Sequence, residues 1–167
     1  MESGKYIAAA IITLILQLLI CEFVNIWPGV YITVLPLFII LLPLSLSVSW
    51  LMIAAFAMGL ATDAFADGVL GLNAASLTLV AYLKYFITRR LTKYQEESMA
   101  ENLQSLRTNY TVMFLLILFS YALFFLAYTL LDGEFNTSRL VVGFFLNVAL
   151  NTLIAYILDK LWVRKLL

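Results

Sequence analysis

Asp63 and Asp67 stand four residues apart, with glycines at 59, 68 and 71 and Ala74 close by. Paired carboxylates can share general acid–base work or pass protons. That chemistry needs companions the chain does not supply. Its 167 residues include no histidine, which removes Ser-His-Asp and Cys-His catalysis and imidazole metal sites. The single cysteine, Cys21, can form neither an internal disulfide nor a cysteine-rich zinc site, and it reads as a small apolar helix residue. Asp63-Ala-Phe65-Ala-Asp67-Gly68 begins like a calcium loop. However, Phe65 offers no oxygen, and Ala74 stands where the closing glutamate belongs. Gly59, Gly68 and Gly71 do not make a dinucleotide fingerprint, and no strand precedes them. The expectation is a non-enzyme with no cofactor and no metal.

The elements that must hold this segment are apolar. The chain is 64% hydrophobic and 12% charged, with zero net charge. Its mean hydropathy is +1.01. Soluble domains are about 45–50% apolar and about 25% charged, so the chain reads as an all-α polytopic membrane protein. Zero net charge leaves no basic footprint for nucleic acid. Six candidate spans follow: about 5–23, 30–46, 48–64, 69–88, 111–131 and 139–161. They make one domain, residues 1–167. Lys5 before an apolar run resembles a secretory signal. No small-residue cleavage site follows Cys21, so that run is expected to be a retained helix. Pro36 and Pro43 should kink or shorten the second span.

Charge sets the expected orientation. Lys84, Arg89, Arg90, Lys93 and Arg107 cluster between spans four and five, and Lys160, Arg164 and Lys165 follow span six. The connections at 22–30, 63–68 and 132–138 carry acidic residues and no Lys or Arg. Six spans put every basic cluster on one side, with both termini cytoplasmic. Residues 89–109 would form a cytoplasmic connector, with an amphipathic helix touching lipid headgroups or a partner as the sharper reading.

Polar and small residues recur at helical spacing inside the spans. Gly143, Asn147, Asn151, Ala155 and Asp159 make one stripe, Thr13, Gln17 and Cys21 another, and Ala55, Gly59 and Asp63 a third. Such stripes let membrane helices approach closely and hydrogen-bond. They fit internal packing of one bundle, or a polar cavity or partner groove lined by Asn147 and Asn151. In a single straight helix Asp63 and Asp67 would stack and repel, so a helix–turn–helix break is expected. Asp67 would then cap the N-terminus of span four, leaving Asp63 to find another partner.

Gly59-Leu-x-x-Asp63-x-Phe65 followed by Gly68-x-x-Gly71-Leu-x-Ala74, between spans three and four of a small six-span chain, resembles the rod shape-determining MreD family. Gly59, Asp63, Phe65, Gly68, Gly71 and Ala74 match that motif; Asp67 is not carried over. The resemblance implies a six-helix bundle similar to the substrate-binding subunits of energy-coupling-factor transporters. It also implies a non-enzymatic scaffold in the bacterial cytoplasmic (inner) membrane, acting in cell-wall elongation. Its implied partners are MreC, the filament protein MreB, RodA and a class B penicillin-binding transpeptidase. Asp63 would hold the turn or meet a partner's donor. The competing expectation is the vitamin-binding membrane subunit of such a transporter, with Gln17, Asn147, Asn151 and the Asp pair in its pocket.

Overall fold

A computed structural model describes residues 3–24, 29–42, 46–67, 69–92, 110–133 and 137–160. Six helices lie among the described residues: α1 Ser3–Phe23, α2 Leu35–Leu41, α3 Val48–Thr62, α4 Leu72–Thr92, α5 Tyr110–Asp132 and α6 Thr137–Leu158. Among these residues there is no strand. Tyr6–Phe23, Val48–Ala66 and Tyr110–Asp132 are each long and apolar enough to cross a membrane. Leu72–Ile87 and Gly143–Leu158 are shorter apolar helices.

Large apolar side chains stand on the outside of the bundle as well as within it. Ile11 and Ile15 on α1, Phe56 on α3, Phe119 on α5 and Leu153 on α6 all stand exposed. Water would drive such a surface to aggregate, whereas lipid tails solvate it without cost. Inside, α3 packs along α4, α4 along α5 and α5 along α6, with α2 wedged among α1, α3, α4 and α5. Leu35 and Ile39 from α2 meet Leu77 and Val80 from α4 and Ile117 and Phe124 from α5 in the core.

The second element departs from expectation. In place of a continuous span over 30–46, an extended stretch at 30–34 leads into α2, which has seven residues. Seven residues rise only about 10 Å, a third of a hydrocarbon core of about 30 Å. Pro36 occupies the first turn of α2, where its missing N–H costs nothing. What makes the extended approach tolerable is the set of side chains around it, described below.

The remaining helices begin where local chemistry allows. The Ser47 hydroxyl accepts from the N–H of Trp50 at 3.5 Å and caps α3. At its other end, α3 runs into a π turn, Asp63–Asp67, before the chain turns back into α4. The connector at 93–109, including Lys93 and Arg107, lies outside the described residues. So do Gly68 and the side chains of Asp67, Arg89 and Arg90.

Candidate functional site

The α3–α4 turn is organised around Asp63. Its backbone N–H still belongs to α3, donating to the carbonyls of Gly59 and Leu60. Its carboxylate, fully buried, accepts from three N–H groups across the turn: Gly71 at 2.9 Å, Asn73 at 2.9 Å and Ala74 at 3.1 Å. The first amides of a helix have no partner within it, and its N-terminus carries partial positive charge. Asp63 answers both needs of α4. The cap expected of Asp67 is therefore supplied by Asp63, because the π turn folds the chain so that Asp63 faces the start of α4. The residue expected to lack a partner has three.

Gly59, one turn earlier on α3, lies against the same turn of α4. A Cβ there would sit 2.5 Å from the nitrogen of Ala74 and 2.7 Å from the carbonyl carbon of Asn73. The two backbones touch, and only glycine permits it. Gly71 serves differently: its φ of +105° falls where L side chains are strained, with open space around it. Phe65 points away from all this and is 77% exposed.

A second constellation holds the extended stretch. On one edge, the Asn147 side chain accepts from the N–H of Tyr31 at 2.8 Å and donates to the carbonyl of Gly29 at 2.9 Å. One turn further, Asn151 accepts from Thr33 N–H at 2.8 Å and donates to Tyr31 O at 2.7 Å. On the other edge, Gln17 of α1 donates to Ile32 O at 3.2 Å and accepts from Val34 N–H at 2.9 Å. The Tyr121 hydroxyl donates to Thr33 O at 2.8 Å. Alternate residues are thus read from opposite sides, as neighbouring strands would read them. Non-helical backbone is admissible at membrane depth only when its polar groups are met by protein. Gly143 heads this stripe, and a Cβ there would come 4.0 Å from Gly29 O. Asn147 and Asn151 therefore serve internal packing, with their amides engaged on the protein's own backbone rather than in an open groove.

Lys84 requires a correction. Expected on the cytoplasmic basic face with Arg89, Arg90, Lys93 and Arg107, it is 2% exposed. Its ammonium donates to the carbonyls of Ile39 at 2.8 Å and Leu42 at 2.6 Å, at the C-terminal end of α2. A cation there complements the negative helix end. At about 1.5 Å per residue it stands roughly 7 Å before Arg89 along α4, inside the bundle rather than on its surface. The function of Lys84 could not be seen from sequence, because its acceptors lie over forty positions away. The α2 terminus that needs them is short and follows an unanticipated break.

These contacts put a carboxylate at the start of α4 and an ammonium on its fourth turn, each closing a helix end. The Asp63 carboxylate is buried and engaged by three backbone amides, which it holds in place at the start of α4. The chain matches no family model, no curated protein and no solved structure.

Proposed function

We propose that this protein is a non-enzymatic, multi-pass scaffold of the bacterial cell-wall elongation (rod) complex, seated in the cytoplasmic membrane with both termini inside and bound to MreC. MreB, RodA and a class B penicillin-binding transpeptidase complete the assembly in this reading. The motif behind the resemblance to the MreD family, Gly59 to Ala74, supports it by forming one locked helical hairpin. The observation that carries most weight is the internal use of the buried amides. Gln17, Asn147 and Asn151 are committed to the 29–34 backbone, so the residues a vitamin pocket would use are occupied by the fold. What the protein offers outward is apolar helix surface, α1 above all, suited to another membrane helix.

Purification of the full chain in mild detergent, with identification of whatever accompanies it, tests this reading. Recovery of a bitopic MreC-type protein is expected, and deletion in a rod-shaped host should round the cells. A stoichiometric vitamin with an ATPase-bound partner, and no cell-wall protein, would establish the transport alternative instead.

A further inference from the structure

The α3–α4 turn combines an apolar outer surface with a buried anion. Phe65, Val69 and Leu70 are 77%, 53% and 70% exposed, and they continue the exposed apolar stripe of Ile53, Phe56 and Leu60 along α3. A helix N-terminus in water needs no buried carboxylate, because solvent satisfies its free N–H groups. In water such a cap adds only about 0.5–2 kcal/mol, because solvent is the alternative partner. In hydrocarbon each amide left without a partner costs several kcal/mol, so the cap is worth far more.

The length of α4 points the same way. Arg89 and Arg90 mark the membrane boundary at its basic end. Leu72 to Ala74 lie roughly 22–26 Å from Arg89 along the helix at about 1.5 Å per residue. A hydrocarbon core of about 30 Å leaves that first turn still inside the apolar slab. The same reckoning places Lys84 within the slab, where it too has protein acceptors.

We propose that the α3–α4 turn, at Phe65, Val69 and Leu70, is immersed in lipid in the leaflet opposite the basic cluster. Phe65, Val69 and Leu70 contact acyl chains, and Asp63 stands in for water that the turn does not reach. The protein thus draws the bilayer in around the α3–α4 hairpin instead of projecting a loop beyond it. This holds whichever partner the protein has.

Spin labels provide the test, because replacing Cys21 leaves the chain free of cysteine. Phe65→Cys and Leu70→Cys are made separately in a Cys21→Ser background. Each full-length chain is reconstituted alone into phosphatidylethanolamine–phosphatidylglycerol vesicles. Ile12→Cys on exposed α1 is the acyl reference and Ser98→Cys in the polar connector the aqueous one. Labels at 65 and 70 should collide with oxygen as the label at 12 does, and exclude a water-soluble nickel chelate. Nickel access matching position 98 places the turn in water and overturns the proposal. Exclusion of both reagents with an immobilised label places it against protein and also overturns it. Because no cell-wall partner is present, the result is independent of the scaffold reading.

Discussion

Gly59 and Asp63, one turn apart on α3, grip the same turn of α4: the first by having no side chain between the backbones, the second by accepting that turn's free N–H groups. The hairpin is therefore fixed by one steric and one electrostatic contact that share Ala74 as their target. Loss of either should loosen the other.

Asp63→Ala should destabilise the folded protein by about 2–4 kcal/mol, because it leaves buried amides without an acceptor. Asp63→Asn should recover only part of this, since one oxygen becomes a donor facing donors. Unfolding in mixed micelles with rising dodecyl sulfate measures both. Equal stability of Asp63→Ala and the parent would refute the capping role.

Gly59→Ala should cost about 1–3 kcal/mol by forcing α3 and α4 apart. The clash is with the backbone of Asn73 and Ala74, so adding Ala74→Gly should give no relief. Rescue by that second change would show that side chains, not backbones, set the distance. The same unfolding measurement decides it.

Removing the amides should release specific backbone groups. Asn151→Ala is expected to raise hydrogen exchange at the Thr33 N–H, and Asn147→Ala at the Tyr31 N–H. Each change should leave the other amide much less affected. Exchange that rises uniformly over 29–34 in both variants would mean the segment opens as one unit. Asn151→Ala should also cost the more stability, since Asn151 meets three backbone groups where Asn147 meets two.

For Lys84, a neutral residue of similar length separates charge from packing. Lys84→Met should cost about 1–3 kcal/mol through the lost charge-assisted bonds to Ile39 and Leu42. Lys84→Glu, an anion against the negative end of α2, should prevent accumulation of folded protein. Stable, well-expressed Lys84→Glu would remove the helix-end argument.

Much of this architecture is legible in sequence. Composition and apolar runs place α1, α3, α4, α5 and α6 within a few residues of their observed bounds. The glycines and carboxylates mark the α3–α4 turn as special. Which aspartate caps α4 is not legible, because a π turn changes the direction of each side chain and leaves no trace in residue spacing. The Asn147–Asn151 stripe is visible, but its acceptors and donors lie more than a hundred positions away. The stretch from Val30 to Leu41 is apolar whether helical or extended, so periodicity cannot separate the two states. Pro36 is the one local sign of a break. Lys84 reads as part of a surface cluster until its depth is known.

The clamp on residues 29–34 also imposes an order of events during synthesis. Thr33 waits for Asn151, 118 positions later, and Tyr31 for Asn147, 116 positions later. Until α6 emerges, Gln17 alone among these amides is available to the segment. A nascent chain ending before α6 should therefore leave Tyr31 and Thr33 open to exchange, a state the finished protein closes. The backbone of the second segment is thus closed by side chains made more than a hundred positions after it, and its fold is a property of the whole bundle rather than of its own sequence.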